Sequence, residues 1–106
     1  MSTQGRAIYA ATKGGPYAFA VSGRSITIGM VPVLFVRGPQ DPDWRRIPVS
    51  WGDDAQSVYR DAQAVEDFPF AGRYRVQVGI ADATGAFIDF TDPINLNVLP
   101  RPGDVL

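Results

Sequence analysis

The sequence predicts an all-β chain, a two-sheet antiparallel sandwich of about seven short strands with extended terminal arms. Three observations carry that expectation. Tyr74, Val76, Val78 and Ile80 fall on every second residue, with Arg73, Arg75, Gln77 and Gly79 between them. That is the period of a strand with one apolar and one wet face. Clusters of turn residues punctuate the chain: Lys13-Gly14-Gly15-Pro16, Ser22-Gly23-Arg24-Ser25, Gly52-Asp53-Asp54 and Asp82-Ala83-Thr84-Gly85. Finally, Lys13 is the only lysine and Glu66 the only glutamate, so the usual surface helix formers are almost missing.

With 106 residues, 45% of them hydrophobic, the chain suits a single domain spanning 1–106, with a core over about 7–99 and arms at 1–6 and 100–106. The formal net charge is −1, and the basic residues form no run longer than Arg45-Arg46. No electrostatic footprint for nucleic acid or an anionic membrane is expected. The arginine-over-lysine bias suits interfaces, since arginine makes planar, multidentate contacts, although a GC-rich genome yields the same bias without any function. There is no cysteine and no histidine. Disulfides and thiolate chemistry are therefore excluded, together with the commonest general base and most zinc sites. No stretch reaches the roughly 18 apolar residues of a membrane span, and Met1–Arg6 leads into no hydrophobic signal core.

Taken in order, Ile8-Tyr9-Ala10-Ala11 is a short first strand, stopped by the breakers at 13–16. Tyr17, Phe19 and Val21 then share one face of a second strand, with alanines on the other, flat side. Ser22–Ser25 forms a hairpin turn into an alternating strand over Ile26–Met30. Pro32 cannot donate to a ladder, so a break or bulge is expected there rather than an edge position. Val33–Val36 has no polar alternate and reads as a strand buried on both faces. Arg37–Arg46, with two prolines, is the longest loop. Ile47, Val49 and Trp51 point inward along the next strand, with Pro48 marking an edge. Residues 55–67 are ambiguous between a short helix, from Val58, Ala62 and Val65, and a strand around Val58–Asp61 followed by a crossover loop; the strand is preferred. The turn at Asp82–Gly85 joins the long strand to Ala86–Phe90, Ile94–Val98 follows, and the proline-rich tail leaves as an extended segment.

That count of strands is the signature of an immunoglobulin-like sandwich. Gly72-Arg73-Tyr74-Arg75-Val76 adds a detail, because such domains place a tyrosine early in the sixth main strand, two residues before an inward core position. Phe70 stands where an aspartate is common. Trp51 is a candidate inter-sheet tryptophan, although ordinary core packing explains both Trp51 and Tyr74.

No cofactor, metal or catalytic residue is expected. Asp53-Asp54 and Asp41-Pro42-Asp43 lack the spacing of a calcium loop and read as turn aspartates. Asp61 with Glu66 is a remote candidate for a glycosidase pair, because so small a domain has little room for a cleft. Lys13-Gly14-Gly15 lacks the order of a phosphate-binding loop. The candidate partner-binding residues are Arg37, Trp44, Arg45 and Arg46, of the types enriched at binding hot spots and carried on a loop. The alternative is that Trp44 folds back to lid the sandwich while the arginines pair with Asp41 and Asp43.

The second half of the chain resembles small immunoglobulin-like domains of tailed-bacteriophage structural proteins, particularly the N-terminal domain of baseplate upper proteins. The matching pieces are Val33–Val36, Trp51, Phe70–Val78, Asp82–Gly85 and Asn95–Val98. The resemblance implies a non-enzymatic virion protein, assembled in the host cytoplasm, that docks other virion proteins as an adaptor or attachment subunit of the tail, baseplate or fibre. It also implies a homo-oligomer within an assembly, while the charge distribution predicts no nucleic acid or membrane partner. This sequence ends at Leu106, where the fibre of those proteins would begin, so a capsid decoration or cement subunit is a further expectation. A carbohydrate- or peptide-binding module using Trp44 and its neighbouring arginines is the reading from another class.

Overall fold

The computed structural model describes residues 8–21, 29–52 and 56–100. The expected hairpin at Ser22–Ser25, the strand residues Ile26–Ile28, the turn aspartates Asp53 and Asp54 and both arms except Pro100 lie outside them. The described residues form nine strands: β1 (Ile8–Tyr9), β2 (Tyr17–Ala20), β3 (Val31–Arg37), β4 (Arg45–Pro48), β5 (Ser50–Trp51), β6 (Ser57–Arg60), β7 (Gly72–Ala81), β8 (Phe87–Phe90) and β9 (Ile94–Leu99). The expected strand over Ile47–Trp51 is divided, because the chain changes sheets at Val49.

Two sheets pack face to face as a β-sandwich. The larger has the order β1-β9-β7-β3-β4, with β8 also on β7, and the smaller has the order β2-β6-β5. All pairings of these strands are antiparallel except β1 with β9, which run parallel. The core between the sheets comes from the alternation already visible in the sequence. Tyr74, Val76 and Val78 of β7 meet Leu34 and Val36 of β3, Leu96 and Val98 of β9, and Phe19 and Val58 of the smaller sheet. Trp51 packs against this core half-buried, and its indole N–H donates to the Met30 carbonyl ahead of β3 at 2.9 Å, so it does link the two sheets.

Three local expectations stand in the structure. The hairpin turn is held by Asp82, whose Oδ1 accepts from the Thr84 amide at 2.9 Å, the Thr84 hydroxyl at 2.6 Å and the Ala86 amide at 3.1 Å. Gly85 supplies the positive φ of 91° that this reversal needs. Residues 57–60 are strand and 61–70 a crossover, with Gly14 bridging Gln63. Tyr74 closes the crossover: its hydroxyl donates to the Phe70 carbonyl at 2.8 Å and accepts the Phe70 amide at 3.1 Å.

Two expectations are corrected. Pro32 neither breaks nor bulges its strand, and β3 runs through it in unbroken register with β7. The reason is that β4 ends opposite Val33, so Pro32 has a strand on one side only, an edge-like setting where a missing N–H is tolerated. Val33–Val36 is not buried on both faces either. Leu34 and Val36 are fully buried, whereas Val33 and Phe35 are half-buried on the outer side.

Candidate interaction surface

The register of the larger sheet decides what its outer face displays. On β3 the outward positions are Val31, Val33, Phe35 and Arg37, and opposite them on β7 stand Ala81, Gly79, Gln77 and Arg75. On β4, Arg46 lies across from Phe35 and Pro48 across from Val33. On β9, Asn95 and Asn97 lie across from Arg75 and Arg73. The face is therefore polar and basic toward the start of β7 and apolar toward its end.

The apolar end is an aromatic cluster. Strict alternation along Phe87-Ile88-Asp89-Phe90 would put Phe87 and Phe90 on opposite faces. A register shift between Ile80 and Ala81 changes this, pairing Asp89 with Ile80 but Phe87 with Ala81, so one residue of β8 is passed over and both phenylalanines reach the outer side. The rings of Phe87 and Phe90 stack at 5.3 Å, and Phe35 joins them at 5.4 and 6.0 Å. They converge over Gly79, where an added Cβ would stand 2.6 Å from Phe35 Cε2 and 3.0 and 3.1 Å from the other two rings. The absence of a side chain there lets the cluster lie flat on the sheet. Phe90 remains 45% exposed, and Val31, at an outward position of β3, 48%, so the patch is open to solvent.

The four residues singled out from the sequence separate in the structure. Arg46 belongs to the patch, with its guanidinium carbon 5.4 and 5.3 Å from the ring centres of Phe35 and Phe87. Arg37 is on the same outer face, with one nitrogen donating to the Pro42 carbonyl at 3.2 Å. Arg45, on the opposite side of β4, is a brace: Nε pairs with Asp41 at 2.9 Å, and its two other nitrogens donate to the carbonyls of Glu66 and Asp67. Trp44 is half-buried, its amide donating to Asp43 Oδ1 at 2.9 Å. The pairing of an arginine with Asp41 thus holds for Arg45 alone. Arg73 and Arg75, exposed on the basic half of the face, read in the sequence only as the wet side of a strand; their alternation with Tyr74 and Val76 is the available signal.

A polar cluster inside the fold is not visible in the sequence. Asp67, 3% exposed, accepts Arg60 Nε at 2.7 Å, Arg60 Nη2 at 3.1 Å, the Tyr17 hydroxyl at 3.0 Å and the Ala64 amide at 3.1 Å. Burial first, and then the neighbouring Asp67 carboxylate, push the Tyr17 phenol far above its ordinary value. The hydrogen bond to Asp67 raises Arg60. These hydrogen bonds tie β2, β6 and the crossover together.

Recesses in the described part of the molecule are small or shallow. One between the sheets, lined by Phe19, Leu34, Val76, Thr91 and Ile94 among others, has a volume of about 40 Å³, on the scale of a water molecule. A broad polar groove of about 370 Å³ runs along Pro48, Ser50, Tyr59 and Asp61. Asp61 and Glu66 are both exposed, and among the described residues no three of His, Cys, Asp and Glu come together as a metal-binding group. What the arrangement offers chemically is a flat surface of stacked rings and guanidinium groups, suited to covering by another surface. No protein-family model matches the chain, and no curated protein matches it.

Proposed function

We propose that this chain is a non-enzymatic docking subunit, an adaptor or attachment component of a tailed-phage tail, baseplate or fibre, that meets other virion proteins through the outer face of its larger sheet. The observation that carries the reading is the cluster of Phe35, Phe87 and Phe90 over Gly79 on the outer face, half-buried at Phe35 and Phe87 and exposed at Phe90, with Arg46 laid on it. Aromatic rings left in water on a flat sheet face lose solvent contact only when a partner covers them, and aromatic and arginine side chains are the types that concentrate binding energy. The virion setting comes from the resemblance of residues 33–99 to small phage domains. The immunoglobulin type of the sandwich belongs to the same proposal. It is supported by the order β2-β6-β5 against β9-β7-β3-β4 and by the Tyr74 hydroxyl bound back to the Phe70 backbone.

The test is the composition of particles released by the cells that encode the chain. Mass spectrometry should find it in fixed proportion to the tail proteins, and the pair Phe87→Ser and Phe90→Ser should reduce its incorporation while the free chain remains folded. Recovery of the chain only from the free soluble fraction would overturn the proposal.

A further inference from the structure

We infer that the partner surface received by the larger sheet is a protein surface carrying carboxylates beside apolar side chains. The inference rests on the docking reading above and adds the chemistry of what docks. The charged residues at the outward strand positions of the larger sheet are Arg37, Arg46, Arg73 and Arg75, and no carboxylate shares those positions among the described residues. That segregation occurs in a chain whose acids outnumber its bases by eleven to ten.

Three acids near the face in sequence are turned to other tasks. Asp41 is held by Arg45 and by the Gly38 amide, Asp43 takes the Trp44 amide, and Asp89 stands opposite the inward residue Ile80. Arg46 lies over the Phe35 and Phe87 rings, and a carboxylate brought to this part of the face meets a guanidinium able to hold it in the two-pronged geometry arginine favours. Arg75 and Gly79 are four residues apart on β7, so the basic and aromatic subsites lie about 13 Å apart. A partner therefore presents acidic groups both beside its apolar ones, for Arg46, and about 13 Å from them, for Arg75.

The same distribution argues against other occupants. A second copy meeting this face with the same face brings no carboxylate for the arginines. A nucleic acid would satisfy the arginines but must approach a chain of net charge −1.

The experiment titrates the isotope-labelled chain with three 12-residue peptides that carry Val and Phe in one half and Glu, Ser or Lys in the other, and with a 12-nucleotide oligothymidylate, while amide shifts are followed. The Glu peptide should move amides of β3, β7 and β8 and bind on the order of tenfold more tightly than the Ser peptide at 50 mM salt, with the advantage shrinking at 300 mM. The exchange of Arg37→Glu together with Arg75→Glu should reverse the order of the Glu and Lys peptides. Equal binding of the Ser and Glu peptides on this face would overturn the acidic partner while leaving the docking face intact. No shifts on this face with any peptide would remove both. Tighter binding of the oligonucleotide, or a dimer dissociated by Phe90→Ser in sedimentation, would also overturn it. The salt comparison uses the unaltered chain and does not depend on the variants folding.

Discussion

Replacing Asp67 by asparagine tests how the sandwich is locked at its crossover. The change preserves shape but removes the charge and turns one acceptor oxygen into a donor. Asp67 receives four hydrogen bonds from Arg60, Tyr17 and the Ala64 amide, and an asparagine in its place would set its NH₂ group against at least one of those donors. Removing one partner of a buried pair costs about 3–5 kcal/mol. Arg60, with 22% of its side chain exposed, recovers part of that through water, so a loss of about 2–3 kcal/mol is expected. With a urea slope of about 1.5 kcal/mol/M for a domain this size, the unfolding midpoint should fall by about 1.3–2 M at unchanged slope. The pair of single changes Asp67→Asn and Arg60→Met, measured with their double variant, should show coupling above about 1 kcal/mol. A midpoint shift below about 0.3 M, or additive single effects, would mean that the cluster is a solvated surface pair and that the crossover is held elsewhere.

Other perturbations address the remaining features. Tyr74→Phe strands both the amide and the carbonyl of Phe70, so thermal unfolding should drop by about 5–10 °C, for a loss of about 1–2 kcal/mol. Gly79→Ala forces the three rings apart and should cost about 1–3 kcal/mol, with loss of near-ultraviolet circular dichroism from the cluster while the far-ultraviolet β signal persists. Because the folded Tyr17 phenol is held above its unfolded value, the native state keeps a proton that the unfolded chain gives up above about pH 10. Stability is therefore fully present below that pH and declines as pH rises beyond it. Denaturant midpoints measured from about pH 8 to about pH 11.5 should show a shallower decline for Tyr17→Phe than for the unaltered chain.

The strands are legible wherever one face is buried and the other wet, because a period of two then has only one solution. Tyr74–Ile80, Tyr17–Val21 and the turn at Asp82–Gly85 are of that kind. Pro32 misleads because the tolerance of a proline depends on whether a strand lies on its far side, and that is a matter of tertiary pairing. The outer aromatic cluster is hidden by a register shift of one residue, which alternation along β8 alone cannot disclose. The arginine pair is hidden differently. Arg45 and Arg46 fall at the end of an expected loop, but β4 begins at Arg45, so the strand sends one guanidinium to brace the crossover and the other onto the phenylalanine rings. Asp67, Arg60 and Tyr17 are brought together only by the fold, and nothing in the spacing of 17, 60 and 67 announces it.

Docking through the outer side of the larger sheet would leave that side covered in the assembled particle. Hydroxyl-radical footprinting reads this directly by comparing oxidation of Phe35, Phe87, Ile88 and Phe90 in the free chain and in purified particles. Strong labelling of Phe90 and Ile88 in the free chain, with protection of the whole cluster in the particle and unchanged labelling of Tyr59 on the smaller sheet, is the expected result. Equal oxidation of Phe90 in both states would mean that the outer side of the larger sheet is not the docking face.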